Sequence, residues 1–504
     1  MDVKPQLNEL RGRLREIADL RSAAGLLQWD QATYMPPKAA VSRSRQIATL
    51  ERLAHAAFTD KAIGGLLDSL QPYVTRLPYE HHEAALVRVT RNDYERDVRV
   101  PADFVARLEE HAAISYTAWL KARPANDFDS VVPVIERTLD LSRQLANFTP
   151  GTQNIADPLI ERADPGMTSK TISALFADLR EQLVPLVHAI GPTAAEDDRV
   201  VFQHFPVSTQ RMFARHVVTL MGFDFKRGRI DDTAHPFMTS FASDDVRITV
   251  RADKHCLTEH LFCAMHEAGH ALYELGIPPE FEATPLGEGA SMGMHESQSR
   301  LWENFVGRSK EFWEGQYTHL QDAFPVELRS VSLETFYRAI NRVRPSLIRT
   351  EADEVTYNLH VMLRFDLELE LLDGHLAARD LPEAWRARYL QDLGVEPPDD
   401  RQGVLQDVHW YHGTIGGSFQ GYTLGNLVAA QVFAAARRAM PNLAERIRAG
   451  ELTTLHEWLR KSIYQYGRVL SAPELVQRVT GAELSVGPLM NYLSTKYGAI
   501  YKLS

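Results

Sequence analysis

The feature that most constrains the fold is the recurrence of apolar residues every three or four positions, because that spacing places them on one face of an α-helix. One such stripe near the N-terminus consists of Leu7, Leu10, Leu14, Ile17 and Leu20. The pattern returns in residues 172–186 and 355–372. Thr168 is a candidate N-cap for the second stripe, and Thr350 and Gly374 flank the third. The sequence therefore predicts a mainly α-helical protein.

A short region departs from the helical pattern. Val246, Ile248 and Val250 alternate with polar residues, and a period of two residues indicates a β-strand. The surrounding residues, 223–253, contain turn signals but no helical stripe. We therefore expect a small antiparallel sheet, and a hairpin without a functional role is the alternative.

Composition limits the partners and the compartment. The chain has 504 residues, a formal net charge of −11 and a pI near 6.0, so nucleic acid and anionic membranes are poor candidate partners. The longest apolar run, residues 426–436, is shorter than the ~20 residues that span a bilayer. The N-terminal residues lack the apolar core of a signal peptide. Cys256 and Cys263 lie too far apart on a helix for a disulfide. We expect a cytoplasmic protein.

The residues that point to chemistry are His266, Glu267 and His270, which form an H-E-x-x-H motif within the predicted helix 253–275. Positions i and i+4 share a helix face, so both imidazoles can reach one metal ion while Glu267 faces a water bound to it. Two surface histidines are the alternative, but the apolar surroundings favour a buried set that needs partners. Gly269 is unfavourable inside a helix, and it therefore predicts that another backbone packs closely there.

A zinc site of this kind needs a third protein ligand and an open position. The metzincin pattern would require Gly and His where Tyr273 and Gly276 stand, which excludes that class, and the inverted H-x-x-E-H motif is absent. Glu296 follows His270 after a turn, a loop and the entry to a second predicted helix, and it is the expected third ligand. A helix-terminal role is the alternative for Glu296.

Two neighbours of Glu296 have weaker assignments. His295 is adjacent to it and must point elsewhere, so we expect a supporting role. Glu303 lies seven residues further along the same helix face and is a weaker ligand candidate.

The chemistry expected of this set is metal-assisted peptide hydrolysis. Glu267 would act as general base for the attacking water and then protonate the leaving amine. The tetrahedral oxyanion needs a donor besides the metal. The glycine-rich residues 403–425 contain His409, His412 and Tyr422 as candidates, and a loop with packed aromatic residues is the alternative.

Several blocks of the sequence together resemble the thermostable carboxypeptidase family typified by carboxypeptidase Taq. They occur in the family's order and span most of the chain. The blocks are Trp29–Gln31 with Thr33–Pro37, His235–Phe237 (HPF), Asp245–Thr249 (D-x-R-x-T), His266–His270, His295–Ser299, Ile348–Asp353 (I-R-x-x-A-D) and Gly403–Trp410 (G-x-x-Q-D-x-H-W).

The resemblance implies a large saddle-like helical fold with a deep active-site cleft, a homodimer, and release of C-terminal residues from peptides with broad specificity. It implies a metal bound by His266, His270 and Glu296, with Glu267 as the base. Zinc is the default ion for these ligands, and cobalt or manganese are alternatives.

The resemblance also suggests that Arg349, and with less support Arg247, bind the substrate's C-terminal carboxylate, for which a guanidinium is well shaped. Ion pairs with Asp353 and Asp245, respectively, are the alternatives. The strand of residues 245–250 could pair with the peptide backbone by strand addition.

One stretch departs from the family pattern G-Y-F-P-T-Y-T-L-G-N. Here residues 416–426 read GGSFQGYTLGN, so Tyr422 aligns with the second tyrosine and is the expected oxyanion donor, while the first tyrosine and the proline are absent. We expect altered subsites around this loop.

The leading hypothesis is a metallocarboxypeptidase with one peptidase domain, residues 1–504, made of an N-terminal helical part (about 1–195) and a catalytic part (about 196–504). The alternative is a zinc oligopeptidase or endopeptidase that uses the same metal site. A catalytically silent helical scaffold is a third class, which the complete ligand set disfavours. Arg349 discriminates the first two, because only a carboxypeptidase needs a fixed cation for a free C-terminus.

Overall fold

The predicted N-terminal stripe forms a 30-residue helix whose Leu7, Leu10, Leu14 and Ile17 are buried. The computed structural model describes residues 3–191 and 197–503, and the predicted junction near residue 195 lies outside the described residues. In the described part, the helices before the sheet are α1 (Lys4–Thr33), α2 (Ala40–Phe58), α3 (Lys61–Val74), α4 (His82–Val98), α5 (Ala102–Ala125), α6 (Val132–Asn147), α7 (Asp157–Ala163), α8 (Ser169–Ile190) and α9 (Val207–Met221).

A three-stranded sheet follows, in the order β1 (Gly228–Asp232), β3 (Asp245–Val250), β2 (Phe237–Ala242). The β2–β3 hairpin is antiparallel as predicted, but β1 pairs with β3 in parallel, so the sheet is mixed. The chain reverses direction between β1 and β2 and again between β2 and β3, so β1 and β3 run the same way, and β1 occupies the edge of β3 that β2 leaves free. Because β3 is central and both its edges are paired, the expectation that it adds a substrate strand is wrong.

The remaining described helices surround this sheet and pack on one another. They are α10 (Leu257–Gly276), α11 (Met292–Arg300), α12 (Lys310–Ala323), α13 (Pro325–Leu328), α14 (Leu333–Ile340), α15 (Tyr357–Asp373), α16 (Leu381–Leu393), α17 (Gly421–Ala439), α18 (Leu443–Arg448), α19 (Thr453–Ser462), α20 (Ala472–Thr480) and α21 (Gly487–Tyr501). A π-helical segment, Leu301–Val306, continues α11. The predicted class, mainly α with a small sheet, is confirmed.

Capping side chains set the ends of the predicted helices. Thr168 is the N-cap of α8, as expected, and its hydroxyl accepts the N–H of Thr171. Gly374 ends α15 with a left-handed φ of 79°. Thr350, however, does not begin α15. Asp353 instead accepts N–H groups at the entry to the helix, including that of Thr356, and α15 begins six residues later than predicted.

The core that carries these helices is continuous from α1 to α21. None of the helices in residues 3–191 and 197–503 is long and apolar enough to cross a membrane. Cys256 and Cys263 are free thiols, as predicted.

Helices α10 and α11 approach each other closely at Gly269. A Cβ on Gly269 would lie 2.6 Å from Ser299 Cα and 2.7 Å from Gln298 O, distances that real side chains do not adopt. The prediction that another backbone packs against Gly269 is confirmed.

We expect Gly269→Ala to destabilise the protein by about 1–3 kcal/mol or more, because the methyl group meets rigid backbone. The matched control is Gly12→Ala in α1, where nothing lies within 4 Å of the added carbon and a gain of about 0.5–1 kcal/mol is expected. Urea unfolding of the metal-free proteins measures both free energies. Equal stability of Gly269→Ala and wild type would contradict the packing argument.

Candidate metal centre

Helix α10 presents the first two candidate ligands on one face. His266 and His270 are four residues apart, and their ring centroids lie 5.0 Å apart. Glu267 follows His266 and is 7% exposed. Most of the other α10 side chains are buried and apolar, and the two histidines are themselves mostly buried, with 17% and 16% of their side-chain surface exposed.

Helix α11 supplies the third candidate ligand. Glu296 Oε2 lies 3.7 Å from His266 Nε2 and 3.4 Å from His270 Nε2. Ligand atoms around a tetrahedral zinc ion at about 2.0–2.1 Å are about 3.4 Å apart, so the three atoms fit such an ion. Within the described residues, these three side chains form the one group with metal-binding spacing.

Both imidazoles are oriented by groups behind them. His266 Nδ1 lies 2.9 Å from Glu303 Oε2, and the carboxylate can only accept this hydrogen bond. His270 Nδ1 lies 2.5 Å from His295 Nδ1, and His295 Nε2 lies 2.9 Å from Glu274 Oε1. Because Glu274 must accept, His295 accepts from His270, which leaves a lone pair on the Nε2 of each ligand histidine. Such outer partners fix the tautomer of metal-binding histidines.

The electrostatic environment favours the protonation states of Glu296 and His270 that bind a cation. Burial alone would raise the pKa of Glu296, but Arg300 and the two histidines hold it well below its usual range. Arg300 Nε donates to Glu296 Oε1 at 2.7 Å, so the opposite oxygen, Oε2, remains directed at the histidines. Burial lowers the pKa of His270 to about 3, which favours the neutral form that a metal ligand requires.

Glu267 has the environment of a proton-transfer group. Burial raises its pKa to about 7, and nearby Glu296 and Glu303 add to that rise while His266 opposes it. A carboxyl group that titrates near neutrality can both accept and return a proton.

A second polar cluster contains the predicted substrate and oxyanion residues. Arg349 Nε donates to Asp407 Oδ2 at 2.8 Å, and Asp407 Oδ1 accepts from the Nδ1 of His409. His409 Nε2 lies 3.3 Å from Tyr422 OH. The structure thus brings Arg349, His409 and Tyr422 together. The alternative for Arg349, an ion pair, is observed, but its partner is Asp407, because Asp353 binds the entry to α15 instead.

Tyr357 connects the two clusters. Arg349 Nη1 donates to Tyr357 OH at 3.1 Å, and the Arg300 guanidinium carbon lies 4.4 Å from the centre of the Tyr357 ring. Glu296 also contributes to the raised pKa of Tyr422, of which burial is the largest cause. The second cluster therefore lies beside the metal centre.

Arg247 lies apart from this arrangement. Its guanidinium pairs with Asp245 at 2.7 and 2.8 Å, lies 4.4 Å from the centre of the Trp29 ring and contacts Phe241. The alternative of a strand-face ion pair is therefore observed. None of the residues that contact Arg247 is a candidate metal ligand.

Sequence reasoning missed or misjudged several supporting residues. Glu303 is a partner of His266 rather than a ligand, and Arg300 was not identified, although its position four residues after Glu296 carries the signal of a helical ion pair. Asp407 lies in the G-x-x-Q-D-x-H-W block, but its pairing with Arg349 joins residues 58 positions apart. No sequence pattern around Glu274 indicated that it would be the hydrogen-bond partner of His295.

A cavity of about 630 Å³ adjoins the centre on the Glu274 side. Its walls come from α1, β2 and the loop after α10, and they include Arg21, Phe241, Glu274 and Arg468. The N-terminal helices therefore face the catalytic part across an open space next to the His270 support.

The sequence profile of the carboxypeptidase Taq (M32) metallopeptidases matches residues 9–497. This chain belongs to that family. A carboxypeptidase Taq metallopeptidase needs a divalent metal, and the His266–His270–Glu296 group is the candidate site for it.

Relatives of known structure and name share the whole length of the chain. The thermostable carboxypeptidase 1 of Thermus thermophilus is 41% identical, with 97% of each chain covered. The crystal structure of an M32 carboxypeptidase from Deinococcus radiodurans superposes with a TM-score of 0.96 at 47% identity, covering 99% of this chain and 100% of that one. A carboxypeptidase structure from Pyrococcus furiosus gives a TM-score of 0.94 at 30% identity, covering 98% and 99%.

Because Glu303 accepts from His266 Nδ1 and is not one of the three candidate ligands, we expect Glu303→Gln to weaken Zn²⁺ binding about tenfold, whereas Glu296→Gln, which would remove a ligand, should weaken it further. Competition with a chromophoric chelator measures both dissociation constants. Glu314→Gln, at a surface ion pair with Arg448, is the control and should bind Zn²⁺ as wild type does. If Glu303→Gln and Glu314→Gln bound Zn²⁺ equally, the supporting role would be wrong.

Proposed function

We propose that this protein is a zinc-dependent carboxypeptidase that releases single C-terminal residues from peptides with broad specificity. The observation that carries the proposal is that the His266–His270–Glu296 group lies beside the second polar cluster, which contains Arg349. Family membership supports the metal and the peptidase class. Arg349 in that cluster supports recognition of the carboxylate at a free C-terminus.

In this proposal Glu267 handles the proton. When bound, the ion would polarise the scissile carbonyl and acidify a water molecule. Glu267 would take the proton from the attacking water and deliver it to the leaving amine. Its pKa near 7, raised by burial, supports both steps.

Tyr422 and His409 are proposed to bind the oxyanion. Burial raises the pKa of Tyr422, so its phenol stays protonated and can donate a hydrogen bond at neutral pH. Asp407 accepts from His409 Nδ1 and thereby fixes the orientation of the ring, whose Nε2 lies 3.3 Å from Tyr422 OH. Because Nδ1–H is directed at Asp407, His409 donates to the oxyanion from Nε2 only when both ring nitrogens carry protons, and a neutral ring would instead accept from Tyr422.

Arg349 is proposed to bind the substrate carboxylate. Asp407 takes its Nε and Tyr357 its Nη1, whereas Nη2 takes part in neither bond. These two bonds hold the guanidinium plane in place for a carboxylate. Arg247 stays a weaker candidate, because its contacts with Asp245 and Trp29 favour a role in joining α1 to the sheet.

The remaining predictions are also proposals at this stage. They are a homodimer, a cytoplasmic location, a single domain for residues 1–504, and zinc rather than cobalt or manganese as the ion.

Mass spectrometry of one peptide, offered as the free acid and as the C-terminal amide, tests the function. We expect loss of single C-terminal residues from the free acid at a much higher rate than any residual hydrolysis of the amide, with both abolished by a chelator. Arg349→Ala should slow hydrolysis of the acid far more than that of any amide, because it removes the carboxylate partner. The control is Arg180→Ala, which removes an arginine paired with Asp366 and Asp392 elsewhere in the core.

Internal cleavage of both peptide forms would favour the oligopeptidase alternative and reject the carboxylate role of Arg349. An equal loss on acid and amide in Arg349→Ala would reject that role alone.

We expect Glu267→Gln to lower kcat by about 10²–10⁴-fold, because glutamine cannot carry the proton, while Zn²⁺ affinity stays close to that of wild type. Glu259→Gln, on the same helix in an ion pair with Arg251, is the control and should keep full activity. Steady-state kinetics and chelator competition give the two readouts. Unchanged turnover in Glu267→Gln is the result that would support the silent-scaffold class.

A further inference from the structure

Asp164 is a buried carboxylate that lies outside every sequence block of the site. It follows α7 in the turn that leads to α8, and only 1% of its surface is exposed. A buried carboxylate needs hydrogen-bond partners. Its partners are not in its own part of the chain but in the two elements that carry Glu296 and Tyr422.

The first partner is the N-terminus of α11. Gly293 N–H donates to Asp164 Oδ1 at 2.7 Å. A carboxylate at this end of a helix is favourable, because it accepts an N–H that has no partner within the helix. Glu296 follows Gly293 by three residues, so this bond holds the same turn that carries the metal ligand.

The second partner is Gln420, the N-cap residue directly before α17. Gln420 Nε2 donates to Asp164 Oδ2 at 3.0 Å and to Gly417 O at 2.8 Å. Gln420 is fully buried. Tyr422 lies two residues further on, in the first turn of α17. The two oxygens of one carboxylate therefore hold two different elements.

Those two elements have no spare room between them. A Cβ on Gly425 of α17 would lie 2.5 Å from Glu296 Cγ, and one on Gly421 would lie 3.0 Å from Met292 Cγ. A shift of one helix is therefore transmitted to the other, and with it to the distance between the metal ligand and the tyrosine.

We propose that Asp164 is a positioning residue, contributed by the N-terminal part, that sets Glu296 and Tyr422 relative to each other through its bonds to Gly293 and Gln420. The inference rests on the proposed function for the role of Tyr422. Its effect on Glu296 is read from Zn²⁺ affinity, which does not depend on turnover.

Three variants separate the two bonds. Asp164→Ala removes both acceptors, and we expect Zn²⁺ to bind about tenfold more weakly and kcat to fall about tenfold or more. Asp164→Asn keeps one acceptor for the fixed Gly293 N–H but turns a donor towards Gln420. Gln420→Leu keeps the Gly293 bond and removes the bond between Gln420 and Asp164, together with the bond to Gly417 O. For these last two we expect near-normal Zn²⁺ affinity with reduced kcat and little change in KM.

Asp157→Ala is the matched control. Asp157 also accepts a helix-terminal N–H, that of Ser169 at 2.8 Å, but it holds α8 rather than the site elements. We expect it to lower the melting temperature without changing Zn²⁺ affinity or kcat. Chelator competition, steady-state kinetics and thermal unfolding are measured on all four variants.

Distinct results decide the matter. If Asp164→Ala and Asp157→Ala both lower only the melting temperature, Asp164 is merely structural and the proposal is overturned. If Asp164→Ala does not fold, normal kcat in both Asp164→Asn and Gln420→Leu overturns it. If wild type binds Zn²⁺ but releases no residue from any peptide, the proposed function fails while the Zn²⁺ affinities still decide the link to Glu296.

Discussion

The candidate metal centre depends on the direct contact of helix backbones around Glu296. Gly269 lets α10 approach Ser299 of α11, and Gly425 lets α17 approach Glu296 from the other side, because a side chain at either position would overlap its neighbour. Glycine within a helix costs about 1 kcal/mol relative to alanine. The close packing that it allows places Glu296 Oε2 within 3.4 Å of His270 Nε2 and so defines the ligand geometry.

Burying so many charges requires that each one have a partner, since an isolated buried charge is strongly unfavourable. Arg300 pairs with Glu296 and with Glu303, and Arg349 pairs with Asp407. The two arginines also meet Tyr357, one over its ring and the other at its hydroxyl. Tyr357 therefore contacts both Arg300, which neutralises the candidate metal ligand, and Arg349, the proposed partner of the substrate carboxylate. This shared contact fixes the distance between the two arginines.

Local sequence patterns predicted the parts of this site that lie on one helix. The i, i+4 spacing of His266 and His270 and the close packing indicated by Gly269 are properties of α10 itself. Glu296 was predicted as a ligand from its position at the start of the next helix. The central position of β3 and the Arg349–Asp407 pair were not predicted, because they depend on which distant segments meet. The late start of α15 likewise depends on a capping bond that propensity does not show.

The N-terminal part reaches the catalytic part through polar contacts that helical periodicity cannot reveal. Trp29 covers Arg247 of the sheet, and Tyr34 OH donates to Asp231 at 2.5 Å. Asp164 adds a carboxylate that both site helices share. Separating the two parts would break these contacts and expose the apolar core that the parts share, which is unfavourable. The contacts therefore support the proposed single domain, in which residues before the sheet help to fix the geometry of the candidate metal centre after it.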